Sequence, residues 1–156
     1  MPPTPQAEKT IAQNRRAFHE FHVEDRYEAG IALLGSEVKS LRAGHASIGE
    51  AWADVKDGQV VLRGCAIEPY AQAGSMNHER TRPRALLLKR AEIAKIERRV
   101  AERGYTLVPL RLYFKGSKVK VELGLARGKD VGDKRQTIAD REAKRELERA
   151  VKERYR

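Results

Sequence analysis

The stretch LVPLRLYFKGSKVKVELGL, residues 107–125, contains two apolar runs joined by a short Lys-Gly-Ser connection. In each run apolar residues occupy every second position, which is the period of a β-strand with one buried face. A short connection that contains glycine is typical of a β-hairpin. The pattern predicts two antiparallel strands with these residues on their buried face: Val108, Leu110, Leu112 and Phe114, then Val119, Val121, Leu123 and Leu125.

A second hairpin is predicted at residues 51–63. The pair Asp57-Gly58 separates two alternating apolar segments, and this dipeptide suits the positive φ angles of a type I′ turn. A two-residue loop at this position also sets the register of the two strands. The predicted cross-strand pairs are Val55 with Val60 and Ala53 with Leu62.

Further strands precede these hairpins in the chain. Partial alternation of apolar and polar residues over 18–34 predicts two strands or one long bent strand, with Gly30 at a bulge or a close approach. About six short strands then favour a mainly β fold. Because the edges of so small an open sheet would be left bare, we expect the strands to close into a small barrel.

Two helices accompany the strands. The first is predicted from Ser36, as the N-cap, to Ala43, and the second over residues 89–103. Residues 70–84 are predicted to form an irregular loop. All of these elements belong to one predicted domain, residues 14–126.

The two ends of the chain differ from this domain. Residues 1–13 are polar and contain three prolines, which predicts a disordered leader. Residues 127–156 are dense in both charges, with an excess of Lys and Arg. Since a helix of this length is marginal alone in water, we predict a tail that becomes helical when a partner supplies a surface. A thin apolar stripe recurs there at helical spacing: Ala143, Leu147, Val151 and Tyr155.

The charge balance indicates an anionic partner. The 156 residues include 32 Lys and Arg against 22 Asp and Glu, a formal net charge of +10. A field of this sign attracts RNA, DNA or an anionic membrane surface. The longest apolar runs are far shorter than the ~20 residues of a membrane-spanning helix. Cys65 is the only cysteine, so no internal disulfide forms, and no apolar signal core is evident. We therefore expect a cytoplasmic protein.

No motif predicts catalysis, a metal site or a cofactor. His19 and His22 are three residues apart, which on a strand places them on opposite faces and does not suit one metal ion. Glu20, Glu24 and Asp25 are candidate acid–base groups beside His22, but spacing alone does not make them converge in a pocket. Nucleotide-binding and nucleophile motifs are absent. We expect a binding protein rather than an enzyme.

The last hairpin carries the residues best suited to RNA. Its outward positions alternate with the apolar ones and hold cations and an aromatic side chain. Cations neutralise phosphates and an aromatic ring stacks on an unpaired base. A solvated, charged strand face explains the same pattern, and both interpretations stay open. The residues are Arg111, Tyr113, Lys118 and Lys120, with further positive charge at residues 80–84 and at Asn14-Arg15-Arg16.

Four segments carry a family resemblance. They are NRRAFHEFHVEDRYEAGIALLGSEVKSLRAGHASI (14–48), TRPRALLLKRAEI (81–93), LVPLRLYFKGSKVKVELGLARGK (107–129) and DKRQTIADREAKRE (133–146). Together they closely resemble the small protein B (SmpB), or SsrA-binding protein, family. The resemblance runs from about residue 14 into the tail, and the GSEVKSLRAG and LARGK…DKR blocks are highly specific in combination.

The resemblance implies an OB-like β-barrel that binds the tRNA-like domain of tmRNA. Members deliver alanyl-tmRNA, with elongation factor Tu and GTP, to stalled 70S ribosomes for trans-translation. The tail is expected to occupy the empty mRNA channel and decoding site, so that the unfinished peptide is tagged and the ribosome rescued. No cofactor and no membrane contact are implied, and a monomer is expected.

The resemblance also implies which residues bind. Family tmRNA contacts fall on Glu28, Leu87 and Lys120, although the sequence pattern alone favours a core position for Leu87. The rest of the tmRNA-binding surface is expected in the segment Asn14 to His19, with Asn14, Arg15, Arg16 and His19 as its binding residues, and at Arg84. The ribosome-binding set in the tail is Gly128, Asp133, Lys134, Arg135, Arg141, Lys144 and Arg145.

Two other classes of function fit the composition. A structural ribosomal protein or assembly factor also combines a barrel with a basic extension. An RNA-processing enzyme would need carboxylates or a metal that the sequence does not single out.

Overall fold

The computed structural model describes residues 7–102, 104–128 and 145. The strands within these residues are β1 (Glu8–Gln13), β2 (Phe21–Ile31), β3 (Ala46–Ser47), β4 (Trp52–Lys56), β5 (Gln59–Arg63), β6 (Ala66–Ile67), β7 (Arg84–Leu87), β8 (Tyr105–Lys115) and β9 (Lys118–Gly128). The helices are α1 (Arg15–Glu20), α2 (Gly35–Arg42) and α3 (Arg90–Val100), with a 3₁₀ helix at Ala71–Met76. The prediction of a mainly β chain is confirmed.

Six of the strands pair in a closed ring. From β8 the hydrogen-bonded neighbours follow in the order β4, β5, β7, β2 and β9, and β9 pairs with β8 again. All of these pairings are antiparallel. Because the ring closes, its strands satisfy backbone groups that an open sheet would leave bare. The predicted small closed sheet of about six strands is thus confirmed, with β3 and β6 forming a separate two-stranded sheet.

The β4–β5 hairpin has the predicted turn and register. Asp57 and Gly58 both have positive φ, 52° and 74°, as a type I′ turn requires. Val55 pairs with Val60 and Ala53 with Leu62.

The β8–β9 hairpin contains an irregularity that the alternating pattern conceals. The register shifts between Pro109 and Arg111, so that Leu110 has no partner of its own on β9. Proline has no N–H to give to the ladder and is therefore found at bulges. The prediction of a single buried face is wrong for the first half of β8. Leu112 joins the main core, whereas Val108 and Leu110 pack with Ala17 of α1.

Asn14 satisfies the backbone at this bulge. Its N–H donates to the carbonyl of Leu110 at 2.9 Å and its side-chain amide donates to the carbonyl of Pro109 at 2.9 Å. Its side-chain oxygen accepts the N–H of Ala17 and so caps α1. Residues 18–20, predicted to begin a strand, are therefore helical, and β2 starts only at Phe21.

The predicted disordered leader is wrong for residues 8–13. They form β1, which pairs antiparallel with the second half of β8 from Glu8 opposite Lys115 to Gln13 opposite Arg111. The polar composition of β1 fits this position, since it lies outside the ring and one side of the strand faces solvent. Residues 1–6 lie outside the described part of the chain.

The other boundary differences have local causes. The side chain of Ser36 bonds to His78 rather than capping a helix, and α2 begins at Gly35. The second helix is shorter than predicted, Arg90–Val100. The predicted irregular loop contains the 3₁₀ helix and ends one residue early, because Arg84 begins β7.

One apolar cluster receives side chains from all six strands of the ring. Leu62, Leu107, Leu112 and Leu123 are fully buried in it, and α2 and α3 add Leu41 and Ile96. Cys65 is a free, fully buried thiol in the same cluster. Burial raises the pKa of this thiol to about 11, so it packs as a small apolar residue.

A buried ion pair ties α2 to β7. Glu37 and Arg84 are both 0% exposed and contact each other. Glu37 also accepts the N–H of Leu34 at 2.7 Å and Arg82 at 2.6 Å. Arg84 donates to the carbonyl of Cys65 at 2.8 Å. Burial raises the pKa of Glu37, but the hydrogen bonds from Arg82, Leu34 and Arg84 outweigh it and hold the pKa below its ordinary value.

We predict that Glu37→Gln lowers the free energy of unfolding by roughly 3–5 kcal/mol, because it leaves the Arg84 guanidinium buried without its counter-charge. Urea unfolding followed by circular dichroism measures the loss. Glu68→Gln is the matched control, since its partner Arg80 and Glu68 itself are about half exposed; such pairs contribute about 0–1 kcal/mol. Equal losses in the two variants would refute the buried pair's role.

The same pair has a pH signature. Because the folded-state pKa of Glu37 is lowered, its contribution is present above the unfolded-state pKa and is lost as pH falls through the folded value. We expect the free energy of unfolding of Glu37→Gln to fall less steeply than that of the wild type as the pH is lowered into the acid range.

Candidate nucleic-acid interface

A row of residues crosses four strands of the ring on its outer face. Leu87 of β7 lies opposite Gly30 of β2, Gly30 lies opposite Lys120 of β9, and Lys120 lies opposite Tyr113 of β8. Directly opposed residues in antiparallel strands share a face. A Cβ on Gly30 would be 3.3 Å from the Cβ of Leu87. Gly30 therefore marks a close approach; the register shift in β2 lies instead between Val23 and Asp25.

Glu28 shares this face two positions before Gly30. Its Oε2 accepts the Tyr113 hydroxyl at 2.5 Å, and its two carboxylate oxygens accept the Lys115 ammonium at 3.1 and 3.2 Å. The hydrogen bond from Tyr113 is the largest cause of a lowered Glu28 pKa. The carboxylate is therefore charged and fixed in position while it remains partly exposed.

Tyr113 is not an open stacking platform, one of the two interpretations that the alternation leaves open. It is only 2% exposed. The Arg111 guanidinium lies 4.0 Å from its ring centroid, and Thr10 of β1 is its cross-strand neighbour. Because β1 was not predicted, the burial of Tyr113 beside Thr10 was not predicted either. Burial and the bond to Glu28 both raise the pKa of Tyr113.

Positive charge gathers on this part of the outer surface, which we call the basic face. Three carboxylates, Glu8, Glu28 and Glu122, lie among the cations and pair with several of them. The excess of cations makes the face suited to a polyanion. Its six cations are Arg15, Arg26, Arg111, Lys115, Lys118 and Lys120.

A recess of about 440 Å³ adjoins the basic face beside α1. Its lining includes Arg15, Phe18, Arg26 and Arg111. Phe18 is 39% exposed, and the Arg26 guanidinium lies 5.5 Å from its ring centroid. An exposed aromatic ring among guanidinium groups provides stacking for a base and charge for its phosphate.

The structure brings together some of the predicted tmRNA-binding residues and separates others. Glu28, Leu87 and Lys120 share one face, and Leu87 is 60% exposed, contrary to the core position that its sequence pattern favours. Arg15 borders the recess. Arg16 instead pairs with Glu20 and Glu50 in a different groove.

Three other predicted residues have less access to a ligand. The prediction of Arg84 on the RNA-facing surface is wrong, because its side chain is 0% exposed and held by Glu37. Asn14 is 4% exposed and acts on the backbone of the β8 bulge. His19 is half-buried at the last turn of α1.

Two of the predicted ribosome-binding residues fall within the described part of the chain. Gly128 is the exposed end of β9, opposite Phe21. Arg145 is an exposed helical residue. Asp133, Lys134, Arg135, Arg141 and Lys144 lie outside the described residues.

Sequence reasoning missed Arg26 and Lys115. Each lies two positions from a predicted face residue, Glu28 and Tyr113, so strand parity carried a signal for both. Phe18 lies within the segment Asn14 to His19 that the resemblance assigns to the tmRNA-binding surface, although the alternation predicts a strand there rather than a helix.

Two of the candidate acid–base residues are held by different partners. Glu20 pairs with Arg16, whereas Glu24 accepts from Arg99 and Tyr105. Among the described residues no group of three or more His, Cys, Asp or Glu side chains is placed to hold a metal ion. In the same part of the chain no helix is long and apolar enough to cross a membrane.

Residues 11–153 match the family model described as SmpB protein. The chain belongs to the SmpB family. An SsrA-binding protein of Thermobifida fusca (strain YX) is 56% identical over 149 residues, covering 96% of this chain and 93% of the relative. One from Symbiobacterium thermophilum is 55% identical, covering 93% and 92%.

A solved structure of an SmpB protein also matches. It is described as "tmRNA-SmpB: a journey to the center of the bacterial ribosome". The matching chain has a TM-score of 0.64 and 43% sequence identity, with 82% of this chain and 87% of that chain covered.

Proposed function

We propose that this protein binds the tRNA-like domain of tmRNA and delivers it to stalled ribosomes for trans-translation. The observation that carries the proposal is the row Leu87–Gly30–Lys120 with Glu28 beside it. Three residues that the family resemblance marks as tmRNA contacts thus meet on one face, although they are distant in sequence. SsrA-binding relatives at more than half identity and a tmRNA-SmpB structure on the bacterial ribosome support the same function.

The chemistry of the face fits a folded RNA with exposed bases. Lys120 meets a phosphate as a point charge. Glu28, whose charge is balanced by Lys115, accepts hydrogen bonds from base amino groups. Leu87, exposed beside Gly30, packs against a base or a sugar. Because these three side chains differ in chemistry and are fixed relative to one another, they favour one orientation of the bound RNA over others.

Two separate surfaces of the protein have different roles. The ring binds tmRNA, and the tail after Gly128 enters the vacant mRNA channel and decoding site, where Asp133, Lys134 and Arg135, then Arg141, Lys144 and Arg145, meet rRNA. The protein acts as a cytoplasmic monomer without catalysis of its own. Elongation factor Tu with GTP joins through alanyl-tmRNA.

The first test is binding to the tmRNA of the same organism, measured by gel shift at physiological salt with elongator tRNA as competitor. We expect tight binding that survives excess tRNA. Equal binding to both RNAs would mean general RNA affinity and would favour a structural ribosomal protein instead.

Reversing one charge tests the face. Lys120→Glu should weaken tmRNA binding by about tenfold or more and lower the log–log salt slope by roughly 0.7–0.9, as expected for one lost phosphate contact. Lys95→Glu on the exposed side of α3 is the matched control for net charge. An equal effect of the two variants would show that only total charge matters.

Truncation tests the division of labour. A chain ending at Val131 should keep nearly full affinity for tmRNA but lose peptide tagging in a reconstituted translation reaction. Loss of tmRNA binding in a truncated chain that still folds would contradict two separable surfaces.

A further inference from the structure

The hydrogen bonds of Glu28 differ between its two oxygens. Oε2 accepts from both Tyr113 and Lys115, whereas Oε1 accepts only from Lys115 among the described residues. A carboxylate oxygen offers about two acceptor sites. Oε2 is therefore filled, and Oε1 keeps one site for a further donor.

Tyr113 is held firmly enough to impose this arrangement. Its ring is buried under Arg111 and lies between the cross-strand neighbours Thr10 and Lys120. A tyrosine has only two side-chain torsions, so packing of the ring also fixes the direction of the hydroxyl. Tyr113 thereby restricts the rotamers of Glu28, while Tyr113 itself is buried and does not contact RNA.

We propose that Tyr113 is a positioning residue for RNA recognition, which fills Oε2 of Glu28 and turns Oε1 toward the amino group of an RNA base. This inference rests on the proposed function. It identifies a specificity determinant that acts through Glu28 without touching RNA.

A neutral donor suits this role better than a second cation. The Tyr113 hydroxyl gives Glu28 a charge-assisted hydrogen bond without cancelling the negative charge. The carboxylate, whose charge Lys115 already balances, therefore gains no net positive charge and still accepts from base amino groups, while phosphates are attracted to Lys120. A second cation in place of Tyr113 would make this spot attractive to any phosphate and reduce discrimination.

The chain contains a matched control for Tyr113. The Tyr105 hydroxyl donates to Glu24 at 3.2 Å, and the Arg99 guanidinium lies 4.7 Å from the Tyr105 ring centroid. The same three residue types thus meet at the opposite end of β8, away from Leu87 and Lys120. Tyr105→Phe therefore removes a tyrosine–glutamate hydrogen bond without affecting RNA recognition.

The experiment measures equilibrium binding of a tRNA-like-domain fragment of tmRNA by fluorescence anisotropy. The variants are Tyr113→Phe, Glu28→Gln, the double variant and Tyr105→Phe. Tyr113→Phe should weaken binding about fivefold, the effect of one ordinary hydrogen bond. In the Glu28→Gln background it should change binding by less than about twofold. Tyr105→Phe should bind as the wild type does.

Two binding results would overturn the inference. One is wild-type affinity in Tyr113→Phe. The other is an equal loss in the presence and absence of the Glu28 carboxylate, since Tyr113 would then act on RNA or on the fold directly. If the wild type fails to prefer tmRNA over tRNA, the proposed function fails instead.

An RNA-free measurement separates these failures. The pKa of Glu28, measured by NMR titration of its side-chain carboxyl, should be lowered in the wild type and should rise in Tyr113→Phe, because the hydroxyl stabilises the charged form. An unchanged pKa in the variant would overturn the positioning role whatever RNA the protein binds. If Tyr113→Phe does not fold, an ordinary Glu28 pKa in the wild type would likewise overturn that role.

Discussion

The register shift in β8 is the constraint on which the rest of the structure depends. Before the shift β8 pairs with β4 and β9, and after it β8 pairs with β9 and β1. Side chains alternate along a strand, so one extra residue reverses every face beyond it. The shift between Pro109 and Arg111 lets Leu107 and Leu112 both enter the core while Arg111, Tyr113 and Lys115 face outward. Ring closure and the basic face therefore have one local cause.

Two buried polar groups then place the helices around the ring. Asn14 uses its backbone and side chain on the carbonyls of the bulge and caps α1 with the remaining oxygen. Glu37 of α2 accepts the N–H of Leu34, which precedes the helix, and hydrogen bonds from Arg82 and Arg84 on the β7 side. In each case a buried polar residue is tolerated because its hydrogen-bonding groups have partners. Each one also fixes where a helix starts.

The closed sheet could be predicted from the sequence because the two hairpins depend on local signals, alternation and the Asp57-Gly58 turn. The errors occur where long-range contacts override such signals. No local pattern reveals that residues 8–13 find an edge on β8, or that Asn14 starts a helix by reaching a bulge almost a hundred residues away. Arg84 has the composition of a surface residue, and only its distant partner Glu37 explains its burial. Leu87 is the opposite case, an apolar residue left exposed because the outer side of β7 faces solvent.

The hydrogen bonds of Glu28 join residues that are 85 and 87 positions apart in the chain. Glu28 is made early in synthesis, whereas Tyr113, Lys115 and Lys120 come from the last hairpin. An incomplete chain that ends before β9 therefore contains Glu28 but neither Lys120 nor the strand between β2 and β8. Such a fragment cannot present the complete face. Assembly of the basic face is in this way coupled to completion of the fold.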